Sequence, residues 1–287
     1  MNINFKLWFR KLGAWFQQRF KGTDNKPQDI RIRLEKYMYL EVAHIQGQGS
    51  RDYQQDTFGF LPASHKKKKA YKGYRVILAD GMGGMAHGDE ISKLVVQEIL
   101  KEKIDVKTDI DVQLRKLVNK INDTVYNTFK GEGGSTLILT YIYKNKLHWI
   151  SVGDSHLYIK RQNELYLINE EHNYLTHLYK HVLKGHLTKQ EADSNKSRHG
   201  LTQFIGNEQL TEMDSSLKGF ELENGDIILI CSDGVSDTLS QRQINELLTL
   251  DVHASAEAIS SQIIAEQNKY QDNFTALIMK WSWEDGI

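Results

Sequence analysis

Five aspartates stand where apolar runs give way to polar or glycine-rich loops. Asp80 follows the run 76–79 and opens Asp80-Gly81-Met82-Gly83-Gly84; Asp233 lies in Ser232-Asp233-Gly234 after the run 227–231. Asp154 lies in Gly153-Asp154-Ser155 after 149–152, Asp272-Asn273 immediately precedes the last apolar run, and Gln55-Asp56 opens an early one. Any one of them alone could be a turn or cap residue; the repeated setting is what makes them a set. Carboxylates held together repel unless protons or cations neutralise them. Ligation by oxygen alone, with no paired His or Cys, points to a hard cation, Mg²⁺ or Mn²⁺, and away from zinc. The glycines after Asp80 would let backbone carbonyls approach such an ion. Two ions about 3.5 to 4 Å apart would clamp a phosphoryl group and acidify a bound water, so that hydroxide is available near neutral pH. Hydrolysis of a phosphate ester is the matching reaction. An arginine should bind the non-reacting phosphate oxygens in a forked geometry, and Arg51, five residues before Asp56, is the candidate.

Such acids need strands to carry them. Alternating or β-branched runs occupy 37–45, 57–61, 74–79, 136–143, 147–152, 157–160, 165–168, 227–231 and 274–281, separated by polar turns such as Lys144-Asn145-Lys146 and Gln162-Asn163-Glu164. Helical spacing comes in pairs. Ile91, Leu94, Val95 and Ile99 form one stripe, and Leu114, Leu117, Val118, Ile121, Val125 and Phe129 the next. Later, Ser240 with Gln243 reads as a capping box opening a helix through Leu248, and 254–270 as another helix. Hairpins dominate, and helices do not alternate one for one with strands. The pattern therefore predicts antiparallel sheets covered by helical hairpins, not a doubly wound parallel sheet. Residues 175–206 read as helical and polar; they carry His177, His181, His186 and His199, whose irregular spacing argues against a zinc site. The four lysines at 66–69 read as a solvated hairpin tip, with no interleaved aromatics to stack bases. Cys231 reads as a small buried hydrophobe, and Trp149 and Trp281 as core or rim.

Composition narrows the class. A chain of 287 residues can bury a full core without staples, and a single cysteine excludes a disulfide framework. Lys plus Arg and Asp plus Glu number 37 each, which removes the general electrostatic argument for nucleic acid as a partner. No apolar run approaches the roughly 20 residues of a membrane span. One basic surplus sits at 1–22. At about 100° per residue, Phe5, Trp8, Phe9, Leu12, Trp15, Phe16 and Phe20 share one sector, with Lys6, Arg10, Gln17 and Lys21 opposite. This is an amphipathic helix, not a signal peptide, because its charges are interleaved with its apolar residues; the chain is expected in the cytoplasm. A basic face opposite Trp and Phe suits contact with the inner membrane surface. Arg19 interrupts the apolar sector, however, and packing on the domain or on a partner protein is the other reading. Residues 23–29 form a polar linker, and a domain is expected over 30–283.

The string Arg51-Asp52-Tyr53-Gln54-Gln55-Asp56, then Ala79-Asp80-Gly81-Met82-Gly83-Gly84 with Gly88, Ser135-Thr136, Val152-Gly153-Asp154-Ser155, Cys231-Ser232-Asp233-Gly234 and Asp272-Asn273, resembles the bacterial branch of the metal-dependent type 2C serine/threonine protein phosphatases. The resemblance implies an α+β fold: a four-layer α/β/β/α sandwich of two antiparallel sheets flanked by helix pairs, with the metal centre in a cleft at one end. By motif position, Asp80 would bridge two ions, Mn²⁺ or Mg²⁺, with the Gly81 carbonyl on one and Asp233 and Asp272 on the other. Asp56 would hold that second ion directly or through water, and Asp154 with Asp233 matches the acids of a third ion in many bacterial relatives. Arg51 would take the substrate phosphate, and a hydroxide between the ions would attack phosphorus in line with no covalent phosphoenzyme. Where some relatives carry a histidine as the acid for the leaving alkoxide, this chain has Met82, with Met85 and then His87 further on; His87 is the candidate acid, against a metal-bound water. His156 stands where the family commonly has arginine. The implied substrates are phosphoserine and phosphothreonine proteins, with the chain opposing a serine/threonine kinase, as a monomer. A catalytically silent phosphoprotein-binding or scaffold module is the alternative.

Overall fold

The computed structural model describes residues 30–35, 38–61, 73–82, 86–198 and 200–283. The amphipathic segment at 1–22, its linker and the lysine run at 66–69 lie outside them. The elements run β1 (Ile30–Glu35), β2 (Met38–Gly47), β3 (Asp56–Leu61), β4 (Tyr74–Asp80), α1 (Gly88–Lys101), α2 (Ile110–Phe129), β5 (Leu137–Tyr143), β6 (Lys146–Val152), β7 (His156–Arg161), β8 (Glu164–Leu167), α3 (Tyr174–Leu183), α4 (Lys189–Asp193), β9 (Asp214–Ser215), β10 (Phe220–Glu221), β11 (Ile227–Cys231), α5 (Asp233–Ser236), α6 (Gln241–Leu247), α7 (Val252–Ala265) and β12 (Phe274–Trp283).

One sheet has the order β1-β2-β12-β11-β7-β8 and the other β10-β6-β5-β4-β3, with β9 on β6; all the strand pairs are antiparallel. Strand alternation explains why the central strands are apolar on both faces. On β4, Tyr74, Val76 and Leu78 enter a core between the sheets with Ile228 and Ile230 of β11 and Leu277, Met279 and Trp281 of β12. The intervening Ile77 and Ala79 face α1 and α2, packing with Ile91, Val95, Leu114, Val118 and Ile121. Leu229 and Cys231 of β11 turn the other way, onto Ile244 of α6 and Val252, Ala256 and Ile259 of α7. Three apolar layers between four layers of structure make the expected α/β/β/α sandwich. Each fully buried Leu, Ile or Val contributes about 1.5–3 kcal/mol.

Helix ends follow their signals where a cap was legible. The Ser240 hydroxyl accepts from the Gln243 N–H and the Gln243 side chain returns to Ser240, completing the capping box of α6. The helix expected over 254–270 stops at Ala265, and Gln267 with φ 49° turns the chain out of the right-handed path. Residues 175–206 hold two short helices instead of a continuous helical stretch. α3 and α4 form an excursion closed at its base by the Tyr174 N–H to the Gly200 carbonyl (2.8 Å) and the Leu175 N–H to the Arg198 carbonyl (2.9 Å). Among the described residues no helix is long and apolar enough to cross a membrane.

Candidate metal centre

The carboxylates meet where the layer between the two sheets opens at one end. Alternation turns Asp80, at the end of β4, to the same side as Val76 and Leu78. Asp56 is its register partner on β3. From the opposite sheet, Ser232 Oγ and Thr275 Oγ1 donate to Asp56 Oδ2 at 2.8 and 2.7 Å, so this carboxylate ties the sheets together. Asp56 Oδ1 is buried without a hydrogen-bond partner, and the neighbouring Asp80 carboxyl can serve it only by carrying a proton. Asp233 begins α5 directly after β11, and Asp272 precedes β12, where the Asn273 carboxamide oxygen accepts from the Gln55 N–H at 2.8 Å. Asp56 is buried, while Asp80, Asp154, Asp233 and Asp272 each keep part of their surface in water. They line a cleft instead of a sealed cavity.

The backbone around Asp80 is fixed on both sides. The Asp80 N–H donates to Thr136 Oγ1 (3.0 Å) and its carbonyl accepts from the Thr136 N–H (2.8 Å) and from Ser135 Oγ (2.9 Å). The Gly81 N–H donates to the Gln55 carbonyl at 3.2 Å, and its own carbonyl accepts no hydrogen bond among the described residues. A Cβ on Gly81 would run into the Gly88 carbonyl, and one on Gly234 into the Asn273 carbonyl. Both glycines are therefore dictated by close backbone approach.

Electrostatics reflect the crowding. Burial, then the charges of Asp56, Asp233 and Asp154, hold the Asp80 carboxyl well above the usual range. Burial, then Asp154, Asp237, Asp272 and Asp56, do the same to Asp233. Asp154 is pushed up to about 6, chiefly by burial, with Glu171 and Asp237 adding repulsion. Asp56 is raised by burial, and the Thr275 and Ser232 hydroxyls pull back against it. Like charges compressed in this way call for a neutralising cation. Among the described residues no three His, Cys, Asp or Glu side chains already close round a single point. An oxygen-only donor set, mutual repulsion and an orphaned Asp56 oxygen together fit hard divalent cations.

Arg51 lies at the rim, half-exposed, its Nη2 donating to Asp272 Oδ2 at 2.5 Å. His87 has a different setting: left-handed at φ 62°, it precedes α1, with Nδ1 3.7 Å from Glu90 Oε2 and its ring 5.4 Å from that of Phe129. His156, beside Asp154, bonds Glu171 through Nε2 and the Tyr158 hydroxyl through Nδ1 (2.8 Å). That bond holds the Glu171 carboxyl below its ordinary range. Three residues of the cleft escaped the sequence reading as participants. Asp237 stands four residues, one helical turn, beyond Asp233, a spacing visible in Ser232-Asp233-Gly234-Val235-Ser236-Asp237. Thr275 shares a strand face with Leu277, and Glu171 opens Glu171-His172-Asn173, a stretch before a helix that also agrees with the family but gave Glu171 no role.

The sequence matches the protein phosphatase 2C family over residues 46–271. Protein phosphatase PhpP of Streptococcus pneumoniae is 26% identical over 222 residues, covering 73% of this chain and 87% of PhpP. The crystal structure of the Mycobacterium tuberculosis serine/threonine phosphatase PstP/Ppp superposes with a TM-score of 0.67 at 27% identity, over 84% of this chain and 98% of that one. The catalytic domain of serine/threonine protein phosphatase PstP in complex with two manganese ions gives a TM-score of 0.65 at 25% identity, over 85% and 99%.

Proposed function

Since the chain belongs to the protein phosphatase 2C family, we propose that it is a metal-dependent serine/threonine protein phosphatase, hydrolysing phosphoserine and phosphothreonine of protein substrates. The observation that carries this reading is the set of partly water-exposed aspartates that raise one another's pKa around the orphaned Asp56 Oδ1. A silent binding module gains nothing from that repulsion, and the scaffold alternative is not favoured.

In this reading Asp80 would help to hold two ions, Mn²⁺ or Mg²⁺. The Gly81 carbonyl would serve one; Asp233, Asp272 and Asp56, the last directly or through water, would serve the other; Asp154 with Asp233 would serve a third. Divalent cations bound there supply positive charge to the phosphoryl oxygens and acidify a water as the nucleophile. The protein's own part is orientation and charge. The Thr136 and Ser135 bonds fix the backbone that carries Asp80, and the Ser232 and Thr275 hydroxyls fix the position of the Asp56 carboxyl. A guanidinium has five donors, so Arg51 can keep Asp272 and still fork onto two phosphate oxygens. The departing seryl or threonyl oxygen takes its proton from His87 or from water, and the Glu90 and Phe129 contacts of His87 favour water.

Hydrolysis of an aryl phosphate and of a phosphothreonine peptide, with Mn²⁺ and with chelator, tests the reading. Activity that needs the metal, and is abolished by Asp80→Asn and by Asp233→Asn in folded protein, supports it; metal-independent turnover or near-normal variants would refute it. The proposal extends to a monomer that opposes a serine/threonine kinase in the cytoplasm, over a domain spanning 30–283, with 1–21 offering contact with the inner membrane surface. Fractionating the full chain beside one lacking 1–21 tests that contact: equal distribution of the two would exclude it.

A further inference from the structure

The α3–α4 excursion carries three histidines that the phosphatase chemistry does not use. His177 and His181 lie four residues apart on α3, on one face. Their Nε2 atoms are 3.2 Å apart and their ring centroids 4.9 Å. The chain then turns back through Gly185, at φ 74°, and the His186 N–H donates to the His181 carbonyl at 3.0 Å. That turn sets the His186 ring 5.7 Å from that of His181. On the other side, the Tyr174 ring stacks on His177 at 5.9 Å and 18°. His177 and His186 are exposed and His181 is half-buried, so the nitrogens can be reached from water.

Tetrahedral zinc with Zn–N bonds of 2.0–2.1 Å sets two imidazole nitrogens about 3.3 Å apart and the ring centres about 5 Å apart. The His177–His181 pair already has that spacing, and the His186 ring lies 5.7 Å from that of His181. From this geometry we propose that α3 carries a transition-metal site that takes zinc, with His177 and His181 as its fixed ligands and His186 and water completing the shell. Among the described residues no three such side chains yet converge on one point, which makes the two helix-borne imidazoles the built part of the site. Irregular spacing across the four histidines hid this pair in the sequence. Without metal, a 3.2 Å contact between two neutral rings is one N–H···N hydrogen bond. When zinc takes both Nε2 lone pairs, the shared proton moves to the Nδ1 of the ring that carried it, and no oxidant or further reactant is needed. Imidazoles select zinc, nickel and copper, whereas the carboxylate cleft selects hard cations, so the two classes of site can be loaded separately.

Equilibrium dialysis of the full chain against buffered zinc, with excess Mg²⁺ present throughout, tests the site. The wild type is expected to bind one zinc per chain, and His177→Ala and His181→Ala are each expected to weaken it at least about 100-fold, at or beyond the loss seen when only an outer-shell partner is removed. Both changes put a better helix former on an accessible face of α3, and far-ultraviolet circular dichroism confirms that the variants are folded. Asp80→Asn should leave this zinc in place. Absence of zinc binding by the wild type, unchanged affinity in both histidine variants, or loss of the zinc in Asp80→Asn would each overturn the proposal.

Discussion

Replacing Asp154 by Asn removes one charge from the cleft at nearly constant shape, and its effect on stability should change sign with the metal. In the metal-free protein the folded-state carboxyl titrates at about 6 against an ordinary 3.8. At 1.36 kcal/mol per pH unit that difference is worth about 3 kcal/mol. Asp154 keeps some contact with water, and screening leaves about 2 kcal/mol. The sign follows from which state binds the proton more tightly. The folded state does, so stability is fully present below pH 3.8 and is lost as pH rises through about 6. At pH 8 in chelator, Asp154→Asn should therefore unfold about 4–8 °C above wild type, and the gap should close by about pH 4. Adding Mn²⁺ should remove or reverse it, because the charge then has a cation to hold. Thermal unfolding by circular dichroism at pH 8 and pH 4, with chelator and with Mn²⁺, reads all four states. A metal-free variant no more stable than wild type at pH 8 would refute the claim that burial, with Glu171 and Asp237 beside it, disfavours the Asp154 charge in the cleft.

Arg51→Ala should lower kcat/KM for a phosphothreonine peptide by about 10- to 100-fold, the value of one or two charge-assisted bonds, and Arg51→Lys should recover only part of this. His87→Ala should keep kcat within about threefold, whereas loss of a general acid would cost about 10² to 10⁴; a fall of that size would place the proton on His87. Ile230→Ala, deep between the sheets, should cost about 2–5 kcal/mol in urea unfolding while leaving kcat unchanged in protein still folded, and a loss below about 1 kcal/mol would contradict the packing described.

Much of this architecture could be read from residue patterns because its signals are local. The run 74–79 and its neighbours are apolar on both faces, which is what strands between a second sheet and a helical layer require, and the acids stand within two residues of one end or the other of such runs. Ser240 and Gln243 announced α6 through side chains that cap their own backbone. What stayed hidden depends on partners distant in sequence. Thr275 and Ser232 meet Asp56 only because the two sheets close on each other, across 219 and 176 positions. Asp237 joins the cleft through a four-residue helix too short to show a period. On α3, His177 and His181, four residues apart, were obscured by the irregular spacing of the histidines that follow them in the sequence. The strand β1 and the two-residue strands β9 and β10 are edge or near-edge pairings, where burial imposes little pattern.

Anomalous scattering from crystals grown with Mn²⁺ tests the metal centre most directly. Two peaks about 3.5 to 4 Å apart, both in contact with Asp80 and one of them with Asp233 and Asp272, are the predicted result. No peak at Asp80, or manganese bound away from these three aspartates, would contradict it.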